Sequence, residues 1–353
     1  MGRSRSVSGS SGMYLDGTAL KGLLCNPRLA TTVGEGADGS AITDGTRMFY
    51  YCTGLTSWTV DLPNLTDGTD MFQGCYGLTS FSADLPNLEY GGYMFTGCSS
   101  LTSCTVAIPN LTNGDHMFQN CTGLTSWTVE LPNLTNGDSM FYYCTGLTSW
   151  TVDLPNLTDG SSMFSGCTGL TSWTVELPNL TNSPSMFSGC SGLTSWTVDL
   201  PNLEYGGYMF YYCSKLTSWT VDLPNLTDGA SMFYCCSKLT SFSGDLSKLN
   251  GAYSSSGGYR MFYNCTSLKT FNSPLPKLAY GQEMFYGCIL DEASVLRILN
   301  SIPTWTSGTH QLHLGKRTNF LNSTDIAALL GTTTPIAAST SYKYKGWTIT
   351  VTT

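Results

Sequence analysis

The segment MFYYCTGLTSWTVDLPNLTDG, beginning at Met48, returns almost unchanged at Met140, and near copies fill the chain between and beyond. The pair Met-Phe stands at 48, 71, 94, 117, 140, 163, 186, 209, 232, 261 and 284, so every interval is 23 residues except one of 29. A fixed short period constrains the fold more than any other feature of this chain. Each unit is one coil that cannot bury its own apolar face, so units must stack, and the array grows one coil at a time rather than one domain at a time. The six extra residues of the long interval lie in NGAYSSSGGY, near 250–258, and read as a surface loop on one coil.

Within a unit, Leu55, Trp58, Val60, Leu62 and Leu65 spell LxxLxLxLxxL. Trp58, Val60 and Leu62 alternate with Thr59 and Asp61, the period of a short strand with one buried face. Pro63 lacks a backbone donor and ends it. TDG, TNG or YGG then supplies a turn, on the expectation that Gly or Asn there takes positive φ. TDMFQGC is expected to form about one helical turn with Met71, Phe72 and Cys75 inward. The fold class that follows is a leucine-rich-repeat-like right-handed solenoid, with a parallel β-sheet on one face and short turns or single helical turns on the other.

Three regions result. Residues 1–47 are a flexible leader and N-terminal cap, with MYLDGTALKGLL placing a strand or helix over the first coil. The leader has no apolar signal-peptide core, although Gly2 and Ser6 match the myristoylation pattern. Residues 48–288 are the repeat array. Residues 289–353 are a small α/β cap that continues the sheet. In it Asp291 or Ser294 caps a helix stopped by Pro303, HQLHLG and KGWTITVTT are strands, and STDIAALL is a short helix.

The motif Met-Phe-x-x-Cys-x-x-Leu, followed by this strand and turn, resembles the BspA-like leucine-rich repeats of bacterial surface proteins, over about 48–288. The tail, with GCILDEASVLRILNSIP and YKGWTITV, is similar to the endings of related proteins encoded by gut bacteria and their phages. The resemblance implies adhesion or host recognition without catalysis, and it supplies no catalytic residues. The missing signal peptide favours a virion component over a secreted one.

Charge excludes several functions. Only 11% of residues are charged and the net charge is −8. From Met48 to Ser214 there are thirteen Asp and Glu and no Lys or Arg. Such a surface repels phosphate, so neither nucleic acid nor an anionic membrane is an expected partner. No apolar stretch is long enough to span a membrane as a helix.

Eleven of the fourteen cysteines follow each repeat Met by four residues, and no C-x-x-C pair exists. A column of identical positions reads as buried free thiols acting as small hydrophobes. Cys104 holds the strand position of Trp or Phe and is expected to be buried, whereas Cys235 is expected at the surface. The aromatic row Trp58, Trp127, Trp150, Trp173, Trp196 and Trp219, with Phe81, Phe242 and Phe271 in register, is placed inward, with a nearby carbonyl for each indole N–H.

The outward columns are the candidate binding residues. One reads Asp61, Asp84, Ala107, Glu130, Asp153, Glu176, Asp199, Asp222, Asp245. Like charges about 5 Å apart repel by roughly 0.8 kcal/mol even at the dielectric of water, about 5 kcal/mol over the adjacent pairs before screening. The column reads either as a guard against aggregation or as a binding row for cations, amines or a basic partner. Calcium shares its ligand chemistry, but no complete calcium loop is present, and no cofactor is expected. The second column is Thr59, Ser82, Thr105, Thr128, Thr151, Thr174, Thr197, Thr220 and Ser243. Tyrosines follow Met-Phe in several coils, as at Tyr50, Tyr51, Tyr142, Tyr143, Tyr211, Tyr212, Tyr234, Tyr263 and Tyr286, and read either as a contact surface or as packing between coils.

Catalysis finds no motif: no GxSxG, HExxH or P-loop occurs. His310 and His313 lie three apart on an expected strand and so face opposite ways. PNLT forms sequons at Asn64, Asn110, Asn133, Asn156, Asn179 and Asn225. The sequence therefore reads as a non-enzymatic recognition protein, extracellular or virion-associated, with a protein or glycan on a cell surface as partner. A phage tail or fibre component is the first reading. A bacterial surface or secreted adhesin, and a structural spacer without a ligand, are the alternatives.

Overall fold

The computed structural model describes residues 39, 40, 42–250, 257–337 and 341–353, together with the backbone of strands β1 (Met13–Asp16), β2 (Ala19–Gly22) and β3 (Thr32–Val33). The expectations for Gly2, Ser6 and most of the 250–258 insertion lie outside these residues. The chain divides into two compact units, Met1–Leu170 and Thr171–Thr353.

In the first unit, β1 and β2 form an antiparallel hairpin. β3 then pairs in parallel with β4 (Ser57–Trp58), followed by β5 (Ser80–Asp84) and β6 (Ser103–Ala107). In the second unit β7 (Ser218–Trp219), β8 (Ser241–Phe242) and β9 (Thr270–Phe271) stack in the same way. The 23-residue register is direct: Ser57 pairs with Ser80 and Ser80 with Ser103. Inside the coils the Leu, Trp or Phe, Met, Phe and Cys positions are buried, except that Met48 of the first coil is half-buried.

The strand face is less continuous than the sequence suggests. Among the described coils, five-residue pairing on this face occurs only between β5 and β6, where Phe81 and Cys104 hold the Trp register. The Trp-bearing coils give two-residue strands or none. In each, the indole donates to the carbonyl two residues on, as Trp58 Nε1 does to Val60 O (2.8 Å), Trp150 to Val152 O (2.8 Å) and Trp219 to Val221 O (2.7 Å). The indole thus finds its partner inside its own coil, and the Phe-bearing β8 and β9 pair over two residues as well.

The opposite face is not helical. From Gly68 to Cys75 alternate N–H groups turn back and reach forward. Met71, Gln73 and Cys75 donate to the carbonyls three residues earlier at 3.0–3.1 Å. Gly68, Asp70, Phe72 and Gly74 donate to the next coil at Tyr90, Gly92, Met94 and Thr96, at 2.8–2.9 Å. Two left-handed residues per coil enforce this: the one before Met (Asp70, φ 58°) and the one three after it (Gly74, φ 73°). Positive φ there interrupts any α-helix, and the chain becomes a run of β-turns with its backbone groups paired. The glycine of TDG or TNG has a different task from the one expected. A Cβ on Gly68 would sit 2.9 Å from Met94 Sδ, so this glycine makes room for the Met of the next coil.

Polar consensus residues tie coil to coil. Asn87 Nδ2 donates to Pro63 O (2.7 Å) and Asn133 to Pro109 O (2.9 Å), satisfying the carbonyl where the strand stops. Thr79 Oγ1 donates to Thr56 O (2.9 Å). Asp67 Oδ1 accepts from the Thr69 N–H (2.9 Å), an Asx-turn at the corner.

After the last coil, Asp291 caps α1 (Glu292–Ser301) by accepting from Ser294 N (2.9 Å). Lys345 Nζ donates to Leu299 O, Asn300 O and Ile302 O at the helix C-terminus, at 2.9–3.3 Å. α1 lies along β9, where Ser294 Oγ accepts from Phe271 N (2.8 Å). β10 (His310–Lys316), α2 (Thr324–Leu329), β11 (Ser341–Tyr344) and β12 (Trp347–Thr352) complete the chain. The cap does not continue the strand face as expected. Its helix covers that edge, while β10 continues the turn ladder: Gly281 N donates to Gln311 O (3.2 Å) and Phe285 N to His313 O (3.2 Å).

Candidate binding groove

The column thiols are structural. Cys75 Sγ donates to Phe49 O (3.1 Å) and Cys98 Sγ to Phe72 O (3.3 Å), one coil back. Burial pushes the Cys75 and Cys167 thiols up to about 12 and others of the column well above the ordinary value. They are inert as nucleophiles. Cys52 departs from the all-thiol expectation, being disulfide-bonded. Cys104 is half-buried rather than buried, and Cys235 is half-buried as well.

With the Asn, Thr and Asx residues engaged between coils, the outward strand columns are what remains. In the first unit Thr59, Asp61, Asp84, Thr128, Glu130, Thr151 and Asp153 are exposed. In the second, Thr174, Glu176, Thr197, Asp199, Thr220 and Asp222 are exposed and Asp245 is half-buried. Some of the carboxylates serve the backbone. Asp61 Oδ1 accepts from Asp84 N (2.9 Å), Asp222 Oδ1 from Asp245 N (2.9 Å), and Asp245 from Ser247 N (2.8 Å). Among the described residues the carboxylates of Asp84, Glu130 and Asp153, and of Glu176 and Asp199, have no hydrogen-bond or ion-pair partner.

The first unit gathers part of this set into a groove of about 670 Å³. Asp61, Asp84, Thr128 and Glu130 line it over a floor that includes Ala83, Val106, Ala107 and Val129. The depression lies where one coil departs from the consensus: Cys104 replaces an aromatic, and Ala107 replaces the acid. Asp84 and Glu130 sit one coil to either side of Ala107, roughly 10 Å apart at the spacing of paired strands. Carboxylates flanking an apolar floor suit a cationic head on an aliphatic stem. Ser82 and Thr105 of the hydroxyl column line it as well, and the remaining predicted carboxylates and hydroxyls, Thr59 among them, lie outside this groove. The interruption at Ala107 was legible; the hollow it opens was not, because it depends on the neighbouring coils.

The tyrosines prove to be both packed and open. In the second unit Tyr211, Tyr234, Tyr263 and Tyr286 stack face to face at 4.7–4.8 Å. In the first, Tyr51 and Tyr143 sit in the left-handed position, each ring over the glycine of the next coil, Gly74 or Gly166. The two histidines of β10 occupy different surroundings. His310 stacks on Trp305 (4.3 Å), and His313 meets Thr350 Oγ1 (3.0 Å). Among the described residues no three metal-ligating side chains come together, and no helix is long and apolar enough to cross a membrane.

The comparisons with known proteins match this geometry at the level of the fold. A leucine-rich repeat protein of Bacteroides ovatus is 21% identical, with a TM-score of 0.50, covering 89% of this chain and 84% of its own. A leucine-rich cell surface protein of Faecalibacterium prausnitzii is 19% identical, with a TM-score of 0.48, covering 87% of this chain and 83% of its own. No curated protein gives a significant match. The model of the BspA-type leucine-rich repeat region matches in six copies over residues 43–171, 137–256 and 243–307. That is most of the chain, and the protein belongs to the BspA-type leucine-rich repeat family.

Proposed function

We propose that this is a non-enzymatic recognition protein that engages a cationic group on a cell surface through the groove of its first unit. The observation that carries this reading is the pair Asp84 and Glu130. Both are exposed, both carboxylates lack a partner among the described residues, and both flank an apolar floor in a stretch without a single Lys or Arg. A coil repeated in register also sets like groups side by side, which suits recognition better than catalysis. The partner is a protein or an amine-bearing glycan, because the negative surface disfavours nucleic acid. The setting is extracellular or virion-associated, as a phage tail or fibre component contacting a bacterium. The resemblance of the tail segments GCILDEASVLRILNSIP and YKGWTITV to proteins of gut bacteria and their phages supports this. A bacterial surface or secreted adhesin is the second reading, favoured by the family itself.

The test is binding of the labelled protein to a panel of intact gut bacteria and to epithelial cells, at low and high salt. Selective, salt-sensitive binding to a few strains is the expected result. Binding to epithelium alone supports the adhesin. Binding to neither leaves a spacer and overturns the proposal.

A further inference from the structure

The second unit contains a polar cavity of about 220 Å³ that no reading of the repeat accounts for. It lies where β10 meets the last coil. Gln282, Gln311, His313, Ser341, Thr348 and Thr350 contribute to its wall, with Glu283 beside them. Amide, carboxylate, imidazole and hydroxyl groups thus converge on one small space.

Three observations indicate what this space takes. First, His313 is incompletely paired. Its Nδ1 meets Thr350 Oγ1 at 3.0 Å, while its Nε2 is buried without a hydrogen-bond partner. A buried polar atom without a partner is rare in folded proteins, and a bound group that pairs with it relieves its desolvation. Second, the site is close to neutral. Burial holds the His313 pKa below its ordinary value, keeping the ring uncharged at neutral pH, and Glu283 is paired with Arg260 Nε at 2.6 Å. The charges beside the cavity are already engaged, Glu283 by Arg260 and Lys343 Nζ by Thr348 Oγ1. Third, the Thr348 hydroxyl is free to donate. Thr348 Oγ1 accepts from Lys343 Nζ (2.5 Å), which directs its own proton elsewhere. The ring of Tyr286 stands edge-on to His313 at 5.1 Å, and the stacked Tyr263, Tyr234 and Tyr211 continue away from it along the turn face.

We propose that this cavity binds a neutral pyranose sugar, with His313 Nε2, Thr348 and Gln311 hydrogen-bonding to its hydroxyls. Neutral, dense in paired donors and acceptors, and large enough for one ring, the cavity fits a polyol better than an ion or an apolar ligand. The site is separate from the acidic groove and does not rest on that reading.

The test uses the full chain and four probes: the methyl glycosides of glucose, galactose, mannose and N-acetylglucosamine. Binding is read by saturation-transfer NMR and titration calorimetry. At least one probe is expected to bind with a dissociation constant on the order of 1 mM. Thr348→Val and His313→Phe are each expected to weaken it tenfold or more while the far-UV circular dichroism spectrum is retained. If His313→Phe fails to fold, Thr348→Val alone decides. The proposal is overturned if none of the four probes binds, which leaves a water-filled cavity, or if binding is unchanged in Thr348→Val.

Discussion

Raising the pH should unfold this protein through its cysteine column, and the structure sets the size of the effect. Ten buried or half-buried thiols hold their pKa above the ordinary 9.0, desolvation being the largest cause in each: Cys75, Cys98, Cys104, Cys121, Cys144 and Cys167 in the first unit, and Cys213, Cys236, Cys265 and Cys288 in the second. A thiol whose folded pKa is raised keeps its proton while the unfolded chain loses it. The stabilisation is therefore complete below the unfolded value and falls as pH rises above it. At about pH 10, one unit above the unfolded value, each thiol that stays protonated in the fold costs roughly 1.4 kcal/mol of stability. Six such thiols remove about 8 kcal/mol from the first unit, within the roughly 5–15 kcal/mol that holds a domain together. The assay is urea unfolding under reducing conditions at about pH 7.5 and about pH 10, followed by circular dichroism. The decisive comparison is the double variant Cys121→Ala, Cys144→Ala. It loses packing at both pH values, but its loss between them should be smaller than the wild type's by about 3 kcal/mol. An identical loss in both proteins would refute the reasoning. Titrating tyrosines contribute equally to both arms and cancel.

Other expectations follow from the coil. Gly97 and Gly166 share φ +77°, but a Cβ would lie 3.5 Å from the Tyr76 ring at the first and 2.8 Å from the Tyr143 ring at the second. Substitution by Ala should cost about 1–2 kcal/mol of backbone strain at each, with a further loss only at Gly166, read from urea midpoints. Trp150→Phe removes the indole bond to Val152 O (2.8 Å) and part of a buried ring, and should lower stability by about 1–3 kcal/mol without loss of fold. Burial lowers the His313 pKa, so the unfolded chain binds its proton more readily. Stability from this residue is complete above the unfolded value of 6.5 and declines as pH falls below it; His313→Phe should flatten that decline in chemical unfolding between about pH 7 and about pH 5. Deleting residues 71–116, two whole coils, should leave a folded, shorter first unit by circular dichroism, with aggregation as the contrary result.

The core was readable in the sequence because period-two alternation and the 23-residue repeat both encode burial. Leu55, Trp58, Val60 and Leu62 face inward as their spacing requires. Backbone detail was not readable. Met-Phe-x-x-Cys fits one helical turn by side-chain spacing alone. The two left-handed residues that replace the helix are Asp, Ser, Tyr or Arg as often as Gly, so no residue type announces them. The partner of each indole lies in its own coil, two residues on, a placement set by side-chain geometry and not by residue type. The acidic column was visible as a row of letters. That Asp84 and Glu130 lack partners while Asp61 serves a backbone amide is a matter of atomic position. The cavity beside His313 joins residues nearly seventy positions apart in chain order, Gln282 to Thr350, and no local pattern marks it.

The account's central claim is that the groove carboxylates serve recognition and not folding. The most direct measurement takes the variant Asp84→Asn, Glu130→Gln and reads its urea midpoint and its binding to the bacterial panel from one preparation. The account predicts an unchanged or higher midpoint, because exposed like charges are removed, together with loss of cell binding. Binding equal to the wild type, or a lost fold, would contradict it.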